Sequence, residues 1–270
     1  MTLSPLRVAV AQAAAVAGDV ATNSGTAARL VDAVAELGAS VVVLPELFLP
    51  GYDIATLAAD PGCDITDLDD ARLDPLREAS ASGGVVALVG ASVRRSGRRT
   101  IAVLAVVDGR VCHAYDKQHL WGDEASVFSP GHGGATVRVA GWPLGLGICY
   151  DGCFPEHARA AADDGALAYL APAAYLVGSD HRRDLYYRAR ALDNGLYVAV
   201  AGLVGACGDC EFSGGSAVYD PEGRPVIRVA AGEGVEVAEL DPDVVKAVRK
   251  AHTMGRDRLA GLGERTELVC

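Results

Sequence analysis

Three short apolar stretches of the chain each run directly into one reactive side chain. Val41-Val42-Val43-Leu44-Pro45 leads to Glu46, Val111-Cys112-His113-Ala114-Tyr115-Asp116 to Lys117, and Leu144-Gly145-Leu146-Gly147-Ile148 to Cys149. A carboxylate, an ammonium and a thiol at the ends of three strands are the parts needed for nucleophilic attack on a carbonyl or nitrile carbon. The lysine is the most telling of the three. Of 24 basic residues, three are lysine (Lys117, Lys246 and Lys250) and the other 21 are arginine. A compact ammonium can sit beside a thiolate and a developing oxyanion where a planar guanidinium cannot.

Each residue alone has a plainer reading. A lone cysteine is most often a small buried hydrophobe. Cys149, however, follows a strand with glycines at 145 and 147, and Pro155 opens a helix shortly after it. Strand, sharp turn and helix make an elbow that presents a thiol near free backbone N–H groups. A lone glutamate is usually a solvated loop residue, but burial beside an apolar run would raise the pKa of Glu46 and suit it as a general base.

These residues need elements to hold them. Strands are expected at Arg7–Gln12, Val41–Leu44, Val85–Val89, Leu144–Ile148, Leu167–Leu170 and Tyr197–Gly202, and helices at Asn23–Leu37, Asp69–Ser82, Pro155–Asp164 and His181–Asp193. Thr100–Val107 and Arg110–Tyr115 flank Asp108-Gly109 as a hairpin. Further strands fall near Ser216–Tyr219, Val226–Val229 and Val235–Leu240, with a short helix from about Asp243; residues 117–135 read as irregular. Strand–helix alternation with hairpins predicts a layered α/β fold. The two halves echo each other, and no linker divides residues 1–270, so one domain is expected.

Composition excludes several classes. A net charge of −11 argues against a nucleic-acid surface. No stretch approaches a membrane span, and the N-terminus lacks a secretion signal. Seven irregularly spaced cysteines suit reduced thiols in a cytoplasm better than a disulfide framework.

Together the motifs resemble the carbon–nitrogen hydrolase family, the nitrilase superfamily. Its Glu–Lys–Cys segments correspond to Pro45-Glu46 with Gly51-Tyr52; to Tyr115-Asp116-Lys117 with His119-Leu120; and to Gly147-Ile148-Cys149-Tyr150-Asp151, continuing to Phe154-Pro155-Glu156. Arg7–Gln12, Arg188–Asn194, Ser213-Gly214-Gly215-Ser216 and Asp220-Pro221-Glu222-Gly223 resemble its flanking segments. The resemblance implies an αββα sandwich: two mixed sheets face to face, helices outside, paired into a homodimer or larger assembly through outer helices. It implies a second glutamate, which falls on Glu124 with Asp123 as an adjacent rival, to position the lysine and the substrate amide. Tyr150 N–H would serve the oxyanion with Lys117. Tyr52, His119, Ala173, Ala174 and Tyr175 would line the substrate site. Neither a metal nor an organic cofactor is implied. The stretch Lys117–Glu124 is most similar to bacterial aliphatic amidases, so the expected reaction is hydrolysis of a small primary amide to acid and ammonia through a Cys thioester. Alternatives within the class are an N-carbamoyl amide hydrolase, which an arginine in the pocket would favour, and a nitrilase. The alternative outside it is a non-catalytic scaffold of the same fold.

Other signals are weaker. Cys207-Gly-Asp-Cys210 lacks the second ligand pair of a structural zinc site and reads as a loop; a redox role needs a reversible disulfide there. The six histidines lack metal-site spacing. Arg94–Arg99 reads as a solvated hairpin turn. The Arg- and Tyr-rich segment 182–190 reads as covering a subunit interface or the site entrance.

Overall fold

Runs of Val, Ala, Ile and Leu that cannot tolerate water on either face form the centre of the protein. In the computed structural model, which describes residues 3–269, the first sheet contains β1 (Leu6–Gln12), β2 (Val41–Val43), β3 (Val86–Arg95), β4 (Arg98–Val107) and β5 (Arg110–Asp116). The second contains β6 (Thr136–Val139), β7 (Trp142–Leu146), β8 (Ala168–Ala173) and β9 (Tyr197–Gly202). A hairpin, β10 (Val204–Cys207) and β11 (Cys210–Ser213), stands apart. The second sheet is completed by β12 (Ala217–Tyr219) and β13 (Pro225–Arg228), and the first by β14 (Gly234–Leu240).

The strand orders are β14-β1-β2-β3-β4-β5 and β6-β7-β8-β9-β12-β13. Each sheet has three parallel strands at its centre, one antiparallel strand on one side and two on the other. The echo between the halves is therefore topological. Parallel strands buried on both faces read as unbroken apolar runs, which is why β2 is Val-Val-Val. Face to face, β2 packs on β8 and β9, and β1 on β9.

Helices cover the outer faces. α1 (Val20–Glu36) is N-capped by Asp19, whose side chain accepts from Thr22 N–H. After the short α2 (Ile54–Ala59), α3 (Asp74–Gly83) packs beside α1. α4 (Pro155–Asp163) and α5 (Asp180–Asn194) cover the second sheet, and α6 (Pro242–Ala251) and the four-residue α7 (Met254–Asp257) follow β14. No described helix is long and apolar enough to cross a membrane.

Several expected boundaries shift. α1 begins at Val20 because Asp19 caps it, and α3 begins at Asp74 because Asp70 caps a separate 3-10 turn over Ala71–Leu73. β6 was not expected; its alternating, half-exposed pattern carries little apolar signal. Cys207 and Cys210 are directly paired across the two-residue turn of the β10–β11 hairpin rather than lying in a loop, and both are free thiols. The Arg94–Arg99 run is a hairpin, yet it is not simply solvated. Arg99 is buried, and Arg94 and Arg99 both bind the buried Asp64, at 2.8 and 2.7 Å.

Candidate active site

Glu46 lies just past the carboxyl end of β2, where the chain is clamped to β3. Gly90 N–H donates to Pro45 O at 3.1 Å, and Leu49 N–H to Gly90 O at 3.0 Å. A Cβ on Gly90 would fall 2.3 Å from Pro45 O and 2.4 Å from Leu47 N, so only glycine permits this approach. Leu47 turns with φ +47°, and the Glu46 side chain is left fully buried.

Lys117 follows β5, its N–H donating to Ile101 O at 2.8 Å and its carbonyl accepting from Gly131 N–H at 2.7 Å. Cys149 follows β7 and opens a 3-10 turn over Cys149–Cys153. Its φ is +43°, a conformation that costs a non-glycine residue of order 1–3 kcal/mol and marks strained, functional turns. Tyr187 O–H donates to Cys149 O at 3.1 Å. Sites at the carboxyl ends of parallel strands are the rule in open α/β sheets, and β2, β7 and β8 all point theirs here.

The three chain segments meet in one buried cluster. Lys117 Nζ lies 2.6 Å from Glu46 Oε1 and 2.7 and 2.8 Å from Glu124 Oε1 and Oε2. Glu124 also accepts from Tyr52 O–H at 2.5 Å and from Trp121 N–H at 2.7 Å. The geometry separates the two rival carboxylates: Glu124 is buried on Lys117, whereas Asp123 is exposed. With each Glu124 oxygen already holding two donors, its contact is with the lysine, and a substrate amide could only share it.

Charge in this cluster is finely divided. Burial raises the Glu46 carboxyl to about 7, against the pull of the Lys117 ammonium; the neighbouring Glu124 charge pushes the same way as burial. Burial works against the Lys117 charge, but the Glu46 and Glu124 carboxylates outweigh it and hold the ammonium. Burial and then Glu46 push the Cys149 thiol well up, with Lys117 and the Ala174 N–H opposing. Burial thus favours the neutral thiol over the thiolate at rest, so a base is needed to take its proton. Glu46 Oε2 has no hydrogen-bond partner, and the adjacent thiol lowers the Glu46 pKa, so that oxygen is the open seat for a proton.

A second network braces the site from below. Asp151 is fully buried. It accepts from Ile148 N–H at 3.0 Å, His119 N–H at 2.9 Å and Tyr115 O–H at 2.8 Å, and its Oδ1 lies 2.8 Å from His119 Nδ1. His157 bridges Tyr115 and Tyr169 at 2.8 and 2.9 Å. His119, Asp151 and His157 are close enough to hold a metal ion, but Asp151 and His157 are already engaged with His119 Nδ1, with backbone N–H groups and with these tyrosines, so hydrogen bonding accounts for the cluster.

A pocket of about 140 Å³ opens onto Cys149 and is lined by Tyr52, Glu124, Tyr150, Ala174 and Tyr175 among the expected residues. His119 and Ala173 do not line it. His119 stacks on Phe154 with ring centroids 3.9 Å apart and serves the Asp151 network, while Ala173 is sealed within β8. Trp121, Cys153, Leu176, Ser179, Arg182 and Tyr186 also line the pocket. Arg182 and Tyr186 come from the segment expected at an entrance; the others carried no sequence signal that set them apart.

The Carbon-nitrogen hydrolase family profile matches residues 7–250, and the chain belongs to that family. It is 34% identical over 271 residues to an (R)-stereoselective amidase from a Pseudomonas species, covering 97% of this chain and 95% of the relative. Among solved structures it is similar to the amidase from Nesterenkonia sp. AN1. A double mutant of that amidase in complex with acrylamide superposes with a TM-score of 0.83 at 27% identity, covering 95% of each chain. A second structure of it, showing Michael addition of acrylamide at the active-site cysteine, has a TM-score of 0.80 at 28% identity and covers 91% of this chain and 97% of that one. That amidase is from the nitrilase superfamily, and the two mixed sheets flanked by helices found here form an αββα sandwich in keeping with that likeness.

Proposed function

We propose that this enzyme hydrolyses the C–N bond of a small amide, releasing ammonia, with Cys149 as nucleophile, Glu46 as base and acid, and Lys117 as electrostatic partner. The observation that carries the reading is one buried Glu–Lys–Glu cluster set against a thiol at the floor of a small pocket. The amidase relatives support it, including the cysteine adduct in the Nesterenkonia enzyme.

The groups suggest the order of events. Glu46, with an open oxygen and a pKa near neutrality, takes the Cys149 proton as sulfur attacks the amide carbonyl. Concerted transfer suits a thiol whose own pKa is high. Lys117 and the N–H of Tyr150, early in a 3-10 turn, stabilise the oxyanion. The C–N bond breaks as Glu46 returns the proton to the leaving nitrogen, and a Cys149 thioester remains. Water then gives a proton to Glu46, attacks the thioester and frees the acid; the sulfur recovers the proton. Glu124 holds Lys117, and Tyr52 holds Glu124.

Three further readings complete the proposal. Residues 1–270 act as one catalytic domain. The chain pairs through its outer helices, where Leu185 and Leu192 of α5 are 68% and 44% exposed. It works in a reducing, cytoplasmic setting, in keeping with free thiols at all the described cysteines. Ammonia release from a panel of small amides, N-carbamoyl amino acids and nitriles, with Cys149→Ala alongside, tests the function. Release from the amides, lost in the variant, is the expected result; release from nitriles alone would replace amidase by nitrilase.

A further inference from the structure

Lys117 is neutralised by two carboxylates, so it offers no net charge to a substrate's far end. One cation lines the pocket itself among the described residues, Arg182, in the first turn of α5. It is exposed and has no carboxylate partner. The acids nearest in sequence are committed elsewhere: Asp180 and Asp184 both bind the adjacent Arg183, at 3.1 and 3.0 Å. Arg183 is turned inward and buried, with its guanidinium on Ser213 Oγ and Gly214 O. The helix thus sends one arginine into the structure with its counter-ions and leaves the next one facing the pocket bare. Beside it, Ser179 and Tyr186 also line the pocket, and Ser179 makes no side-chain cap bond to the helix.

We propose that Arg182 is a specificity-determining residue that receives a carboxylate at the far end of the substrate, so that the preferred substrates are small amides bearing a second, acidic terminus. This rests on the amidase reading above and deepens it. The guanidinium fork matches a carboxylate bidentately, and a pocket of about 140 Å³ suits a short acyl chain between the two ends. The acid can belong to an ω-amide of a dicarboxylic acid or to an N-carbamoyl amino acid; in both, Arg182 would meet the same group. The reacting end is unchanged: sulfur attacks the amide or ureido carbon, and the carboxylate takes no part in bond making.

The test compares matched pairs: ω-monoamides of four- to six-carbon dicarboxylic acids against the corresponding neutral diamides, with N-carbamoyl glycine and N-carbamoyl β-alanine as a separate arm. Wild type, Arg182→Gln and Arg182→Lys are assayed for ammonia release. Binding of the same compounds to Cys149→Ala, with and without Arg182→Gln, is measured by calorimetry. The proposal expects wild type to favour the acid member through KM. Arg182→Gln should lower that preference about tenfold or more, with Arg182→Lys recovering part of it and added salt weakening it. Turnover confined to one arm identifies the source of the carboxylate. Equal binding of acid and neutral amides to Cys149→Ala, or an equal loss for both in Arg182→Gln, overturns the proposal. Acid-selective, Arg182-dependent binding without ammonia release would uphold the subsite and defeat the amidase reading instead.

Discussion

At the residue scale the account turns on how three charges share one buried space. Glu46 is raised from an ordinary carboxylate value of 4.5 to about 7. A base works only when deprotonated, so the active fraction grows as pH rises through that value. We therefore predict that kcat/KM climbs with unit slope below about pH 7 and levels above it, the inflection belonging to the coupled Glu46–Lys117–Glu124 cluster. A pH–rate profile in the free-enzyme limit checks this; a profile flat from pH 5 to 8 would argue against Glu46 as base. Tyr52→Phe removes the 2.5 Å bond to Glu124. The loss of one buried hydrogen bond to a charged group costs about 1.5–3 kcal/mol of stability, and a loosened Glu124 no longer holds Lys117 in place, so we also predict a roughly tenfold or greater fall in kcat, measured by kinetics beside thermal unfolding.

Much of this chemistry was legible in one dimension. Glu46, Lys117 and Cys149 each end an apolar run, and an apolar run is a local signal of a buried strand. What pairs across long sequence separations was not legible from local pattern. Tyr52 meets Glu124 across 72 positions and Asp151 meets Tyr115 across 36. His119 sits two residues from Lys117, where strand alternation would put both on one face, yet the chain leaves β5 at Asp116 and bends at 118–119, and the ring turns to Asp151 and Phe154. Arg182 and Arg183 are indistinguishable as letters; helix rotation sends one to the pocket and one to the interior.

At the scale of elements, the site depends on close backbone approaches and on one buried carboxylate. Gly90→Ala would press a methyl into the Pro45–Leu47 backbone. We predict a loss of stability of at least about 2 kcal/mol, in the range of strained core changes, and activity falling further than stability accounts for, because the strand end carrying Glu46 must move. Denaturant unfolding set beside kinetics at a permissive temperature resolves the two effects. Asp151→Ala would orphan donors from β5, the segment after Lys117 and the Cys149 elbow together. A buried donor left unpaired costs about 1–3 kcal/mol, and the elbow should loosen with it. The elements themselves were mostly evident from apolar runs and caps. The exceptions, β6 and the β10–β11 hairpin, are short and partly exposed, so their pairing is decided by tertiary neighbours.

At the scale of the whole molecule, two sheets with the same pattern of parallel and antiparallel pairing pack face to face, and each lends its central strands to the site. Neither sheet alone holds both Glu46 and Cys149, so unfolding of either should abolish activity in a single transition. The outer face of α5 presents Leu185 and Leu192 two turns apart. We predict that the protein sediments as a dimer or larger species, and that Leu185→Glu with Leu192→Glu shifts it toward monomer; a wild-type monomer at micromolar concentration would contradict the pairing.

The most direct test of the central claim is mass spectrometry of enzyme acid-quenched during turnover of an amide substrate. The account predicts an acyl group on the peptide carrying Cys149, removable by hydroxylamine as a thioester should be and absent from Cys149→Ala. An acyl group on Cys153, which lines the same pocket, or sustained turnover by Cys149→Ala would contradict it.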